Sequence, residues 1–198
     1  SRSECHVGRL AVNYQNLPRT HVFERAHKGV LTGSDLTDVE VVLVDGRSHI
    51  KHTEGGDFRE ALYRAIRQGL MKAESVLLEP YYHFSIFVPE EYVGRVLTDI
   101  GKCHGEFEAP SLSGNAAKIQ GQGPVSEMMN YGEELAVLTR GRGSVSFRFD
   151  GYRPCHNQDE VVARRGYEAD HDLENPSYSV FCSKGAAITV NWDQAESY

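Results

Sequence analysis

The sequence predicts an α+β protein, and three observations predict it. Apolar residues recur every fourth position from Phe58 to Leu70, the period of a helix. A run rich in β-branched residues spans 38–44. From residue 82 onward, alternating segments interleave with two segments that each open on a proline. The chain has 198 residues, enough for one large domain or two small ones. It carries 28 acidic and 21 basic side chains, a formal charge of −7. That balance excludes a protein that coats nucleic acid by net charge, though not one with a local basic patch. No run reaches the ~18–20 apolar residues that a bilayer crossing needs. Ser1 to Gly8 is polar and no apolar stretch follows it, so no secretory leader is expected.

Taken in order, Val7 to Tyr14 alternates and predicts a strand, with Pro18 marking a turn over 17–20. Val22, Phe23, Ala26 and Val30 suit one short amphipathic helix. Residues 38–44 are apolar on both faces, as in a central strand. A polar loop runs from Asp45 to Gly56. Asp57 and Glu60 suit an N-cap and capping box for a helix of about four turns, with Arg59, Arg64, Arg67 and Lys72 on its polar face. Phe84, Ile86 and Val88 then alternate as a strand. Pro89 opens a helix closed by Gly101. Short strands are expected at 106–108 and 116–122, around a turn at 111–115. Pro124 to Leu138 is a second helix and Val145, Phe147 and Phe149 a last strand. From residue 82 the order is βαββαβ, the ferredoxin-like plan. Residues 158–175 read as loop, and 178–182 and 186–192 as strands joined at Ser183-Lys184-Gly185.

Several groups could carry chemistry. Cys5, Cys103, Cys155 and Cys182 are widely spaced and read as free thiols of a reducing compartment. Three of them precede a histidine (His6, His104, His156), but without close ligand pairs these read as coincidence rather than a zinc site. Asp170-His171-Asp172 reads as solvated surface. There is no phosphate-cradling GxxxxGK[ST] loop and no nucleophile–base pair, so no catalytic residue is assigned. Arg140 and Arg142 flank Gly141 on a turn that could offer guanidinium groups to phosphate, or simply be solvated. Arg47, His49, Lys51 and His52 fall in six positions between a strand and a helix. A cationic loop so placed suits a phosphate backbone, with an ordinary solvated loop as the other reading.

Specific stretches carry a resemblance. Val76-Leu77-Leu78-Glu79-Pro80 and the run Phe84 to Gly94 resemble the domain IV to V junction of elongation factor G. So do Pro124 to Gly132 and Leu138-Thr139-Arg140-Gly141-Arg142-Gly143-Ser144. Among its relatives, Asp57-Phe58 and the closing Ser179 to Cys182, Gly185 and Trp192-Asp193 are most similar to the tetracycline-resistance ribosomal protection proteins. The resemblance implies a ribosomal protein S5 domain 2-like α/β domain over 1–81 with 158–198, and a ferredoxin-like domain over 82–157. It implies a ribosome partner, both at the ribosomal RNA of the decoding region and at the large-subunit GTPase-associated region. The tip would be Arg47, Ser48, His49, Ile50, Lys51, His52 and Thr53, with His49 at the tip histidine of elongation factor G. Arg140 and Arg142 would serve the second domain. The sequence departs from the aromatic, proline-containing tip of the protection proteins at His49 to His52. No cofactor is expected in this chain, since GTP and magnesium belong to an N-terminal domain of the family. The expected setting is a cytoplasmic monomer that releases tetracycline. The alternatives are an elongation factor G paralogue promoting translocation, a protein-binding module, or a free enzyme using Asp170, His171 or the Cys-His pairs.

Overall fold

The computed structural model describes residues 1–5, 10–48, 53–183 and 185–198. The chain separates into two compact units, Ser1–Ser75 with Glu160–Tyr198, and Val76–Asp159. The division therefore falls near 75 and 159, where the sequence placed it at 81 and 157. The reason is strand continuity: the first strand of the second unit already begins at Leu78.

In the first unit, β1 (Arg2–Ser3) pairs in parallel with β2 (Val42–Leu43). Helix α1 (Val12–His21) packs on the 18-residue α2 (Gly55–Lys72). Leu10, Cys5 and Phe58 form a small core with Tyr14, Leu17 and Leu43 around it. Tyr14 stacks on Phe58 with ring centroids 5.1 Å apart. Gln15 is buried beside them, donating to the Leu10 carbonyl at 2.8 Å and accepting from Ser3 Oγ at 2.9 Å.

Several expectations are corrected here. Of the strand expected over Val7 to Tyr14, residues 7–9 lie outside the described residues; its end, from Val12, and the turn at Pro18 belong instead to α1, which holds Pro18 inside it. The helix expected over 22–30 is a series of turns closed by the Lys28–Asp35 bridge. The central strand shortens to Val42–Leu43, with Val39 and Val44 exposed. Its flanks line an apolar cavity of about 440 Å³ with Leu62, Ile66 and Leu70 of α2. Asp57 is not the N-cap of α2: Glu54 is, and the Asp57 carboxylate accepts from the Glu54 N–H at 2.9 Å.

The segment read as loop begins with α6 (Gln158–Arg165). The strand pair is borne out as β8 (Ser179–Ser183) and β9 (Ala186–Val190). Two of the α2 arginines are not solvated. Arg67, 4% exposed, donates to the carbonyls of Lys28 (3.0 Å) and Ala169 (3.1 Å) and to Tyr167 Oη (2.7 Å). Arg64 donates to the Tyr178 carbonyl at 2.8 Å. Asp170 and Asp172 belong to the same architecture. Asp170 accepts from Trp192 Nε1 (2.9 Å) and Ser177 Oγ (3.1 Å), and Asp172 from Tyr167 Oη (2.6 Å). Gly33 sits at φ 69° against the Tyr167 ring, where an added Cβ would lie 2.9 Å from a ring carbon.

The second unit is ferredoxin-like. Strands β3 (Leu78–Pro89), β4 (Glu106–Phe107), β5 (Ser111–Ser113), β6 (Ala116–Pro124) and β7 (Ser144–Pro154) form one antiparallel sheet in the order β4-β6-β3-β7, with β5 beside β6. A 3-10 turn at Glu90–Tyr92 leads from Pro89 into α3 (Val93–Lys102). The second expected helix is two, α4 (Val125–Met128) and α5 (Tyr131–Leu138). The register opposes Phe84 to Phe147 and Ile86 to Val145 on one side, and Ile86 to Ile119 on the other. Alternate residues of β3 therefore share the face covered by helices. Phe84, Ile86, Val88, Ile119, Val96, Ile100, Met128, Tyr131 and Leu135 form a fully enclosed core. Gly121 lets β4 and the Phe84 ring close in, since a Cβ there would lie 2.1 Å from the Glu106 carbonyl oxygen.

Candidate nucleic-acid interface

The cationic loop leaves β2 at Leu43 and returns to the chain at the first turn of α2. Its outgoing arm is shaped by two local features. The Asp45 carboxylate accepts from the Gly46 N–H at 2.8 Å. Gly46 lies against Leu10, leaving only 2.9 Å between an added Cβ and a Leu10 methyl carbon, so the outgoing arm packs on the small core. Beyond Gly46, Arg47 is exposed and Ser48 half-buried, and on the return Thr53 is half-buried. His49, Ile50, Lys51 and His52 lie outside the described residues. The returning arm enters α2, whose N-terminal end carries the positive end of the helix dipole.

The helix beneath the loop is braced. Glu24 receives Arg59 Nε at 2.6 Å and Tyr63 Oη at 3.3 Å, and its other oxygen meets His21 Nδ1 at 2.7 Å. Hydrogen bonds from Arg59 and then His21 hold the Glu24 carboxyl down at about 2. The end of α1 and the start of α2 are thus tied on either side of one carboxylate.

In the second unit the arginine turn is built to shape. Thr139 is fully buried, its hydroxyl donating to the Leu135 carbonyl at 2.7 Å and accepting from the Gly143 N–H at 2.8 Å. Arg140 takes φ 54° and Gly141 φ 78°, and the Gly141 N–H closes the helix end on the Ala136 carbonyl at 2.8 Å. The two arginines differ in consequence. Arg140 is exposed. Arg142 donates to Glu91 Oε1 at 2.6 Å and Tyr92 Oη at 2.7 Å, with its guanidinium 5.2 Å from the Tyr92 ring centre. The bond to Glu91, then that to Tyr92, pushes the Arg142 pKa further up. Arg140 is free to reach a ligand as it stands, while Arg142 must first leave Glu91.

The family model of elongation factor G domain IV matches residues 1–74, and that of the elongation factor G C-terminus matches residues 76–161. The chain is built from elongation factor G domains. A crystal structure of a Thermus thermophilus protein is similar to it, with a TM-score of 0.73 and 26% identity over 84% of this chain. The chain spans 26% of the length of that protein. No helix among the described residues is long and apolar enough to cross a membrane. The elongation factor G framework also brings together residues that sequence reasoning set apart. Two of the Cys-His pairs meet in the C-terminal domain, with the His104 and His156 rings 4.5 Å apart. The dipeptides were the signal, but their wide spacing concealed the meeting.

Proposed function

We propose that this chain is the ribosome-binding C-terminal part of an elongation factor G-like translational GTPase, and that the loop over 45–54 touches ribosomal RNA in the decoding region. The observation that carries the reading is the mounting of that loop. A glycine packed closely on Leu10 and a braced 18-residue helix flank a segment whose sequence is Arg47-Ser48-His49-Ile50-Lys51-His52-Thr53. A stiff support with cations at its end can transmit force to RNA by contact and charge, without chemistry of its own. In this reading Arg140, and Arg142 once released from Glu91, face the large subunit near its GTPase-associated region. GTP and magnesium would be held by a separate N-terminal domain, since this sequence has no loop that could cradle phosphates. The cell compartment would be the cytoplasm.

The finer reading is ribosomal protection, in which the tip dislodges tetracycline. Asp57-Phe58 and the tail around Trp192-Asp193 support it. Translocation is the competing task, and His49 at the tip favours it. One experiment separates them. Translation by tetracycline-inhibited ribosomes is measured with the full-length parent and with a variant carrying His49→Ala, Lys51→Ala and His52→Ala. Rescue that vanishes in the variant while ribosome-stimulated GTP hydrolysis persists supports protection. No rescue by the parent, with translocation of the messenger intact, overturns protection and supports translocation. Failure of the parent to bind ribosomes overturns both.

A further inference from the structure

The C-terminal domain gathers a second set of groups, remote in sequence and unrelated to RNA contact. Glu79 on β3 is 8% exposed, although it is a carboxylate. Its Oε1 accepts from the His156 backbone N–H at 2.8 Å and from His156 Nδ1 at 2.7 Å. The Cys155 N–H is fixed to the Leu77 carbonyl at 2.8 Å, extending the β3–β7 ladder by one rung past Leu78 and Pro154. The ladder therefore places the Cys155 thiol beside Glu79 and His156. One ligand atom from each of Glu79, Cys155 and His156 lies within 4.8 Å of the others. On the far side of the imidazole, His156 Nε2 lies 3.6 Å from Glu127 Oε1 in the first turn of α4. The His104 ring covers one face of His156, tilted by 31°.

We propose that Glu79, Cys155 and His156 form a binding site for a zinc-like divalent cation. The donor set is one thiolate sulfur, one imidazole nitrogen and one carboxylate oxygen, which suits a borderline cation of tetrahedral habit and not magnesium or calcium. Bond lengths of 2.0–2.3 Å put neighbouring ligands of such an ion about 3.3–3.8 Å apart. The Glu79–His156 contact opens by under about 1 Å to admit the ion, and the sulfur, within 4.8 Å of both partners, closes in by at most about 1.5 Å. The proton balance is simple. Cys155 gives its thiol proton to solvent, and the sulfur takes the metal in its place. The His156 proton now directed from Nδ1 to Glu79 moves to Nε2, where Glu127 accepts it. Glu127 is thus a positioning residue that orients the imidazole, an arrangement common around metal-bound histidine. Water takes the fourth position. The ion would join the start of β3 to the end of β7 and lock the domain at the point where its chain enters and leaves.

The test uses the purified protein, stripped with a chelator and titrated with Co²⁺ as a spectroscopic stand-in, then displaced by Zn²⁺. The expected result is a complex of one ion per chain with tetrahedral-type visible absorption and a sulfur-to-cobalt band. Cys155→Ser is expected to abolish that band, His156→Ala to weaken binding by at least about tenfold, and Glu127→Gln by about tenfold. Cys182→Ser is expected to change nothing, because Cys182 belongs to the other unit. Alkylation of the unmutated protein gives a readout independent of any variant's folding: Zn²⁺ should shield Cys155 and not Cys182. Absence of a one-to-one complex, a sulfur band that survives Cys155→Ser, or equal alkylation with and without Zn²⁺ overturns the proposal. None of these readings involves a ribosome, so their failure leaves the functional proposal untouched, and the reverse holds too.

Discussion

Gly121 and Arg67 show how single side chains set the two units. At Gly121 a methyl group would meet the Glu106 carbonyl oxygen and the Phe84 ring, one of them backbone that cannot swing away. Gly121→Ala is expected to cost about 2–3 kcal/mol by forcing β4 off β6, measured by urea unfolding. Arg67 is a different case. Its cost of burial is offset by three hydrogen bonds that staple the 28–33 turn and the 167–169 segment to α2. Arg67→Met keeps the apolar stem and removes the donors, leaving the Lys28 and Ala169 carbonyls without them. The expected loss is about 3 kcal/mol, with the second unit's own unfolding unchanged. Arg142→Lys tests the opposite situation. Both bonds leave one guanidinium nitrogen, Nη2, and the pair with Glu91 is exposed, so the melting temperature is expected to stay where it is.

The elements divide by how they earn their place. Strands β3, β6 and β7 and helix α3 were readable because each is amphipathic with its own period, and the packing rewards that period. The arginine turn was readable as a turn because only glycine or a strained residue takes the positive φ that closes α5. Helix α1 was not readable. Pro18 lies within it, and the helix persists because Tyr14, Leu17 and buried Gln15 pack on the core beside α2, a tertiary gain larger than the local penalty. Helix α6 buries no residue, so no periodic signal existed to find. The short β2 misled for a related reason: its apolar neighbours line a cavity instead of two sheet partners. The tip's cations were visible as a charge run, whereas nothing in the spacing joined Glu79 to Cys155 and His156, 76 and 77 residues further along.

The loop over 167–175 offers a test at this level. Burial alone would raise the Asp172 carboxyl, but hydrogen bonds from Tyr167, Asn175 and Glu174 reverse that and hold it at about 2, against an ordinary 3.8. A folded-state value below the ordinary one means the stabilisation is complete above about pH 4 and is lost as pH falls towards about 2. Asp172→Asn is therefore expected to lower stability at neutral pH and to flatten the stability profile between about pH 4 and 2. Urea unfolding across that range reads the difference, and a variant profile parallel to the parent's would contradict it.

For the molecule as a whole the decisive quantity is charge, because a chain of net charge −7 is proposed to touch RNA. At physiological salt, charges act over about 8 Å, so the acidic surface beyond that distance contributes little and the tip's own cations dominate. The salt dependence of ribosome binding should then report the tip and not the net charge. Each phosphate contact releases condensed counterions and steepens the fall of log affinity with log salt by about 0.7–0.9. In the full-length parent, Arg47→Ala and Lys51→Ala are each expected to reduce that slope by nearly one such increment, and Arg140→Ala by the same amount if it meets RNA. The Arg140 loss should add to either of the others, because Arg140 belongs to one unit and Arg47 and Lys51 to the other, and independent counterion release is additive. A slope that stays the same in Arg47→Ala and Lys51→Ala would remove the electrostatic basis of the proposed tip contact. A slope that falls in both, with GTP hydrolysis retained, would fix the loop as the part of this chain that reads ribosomal RNA.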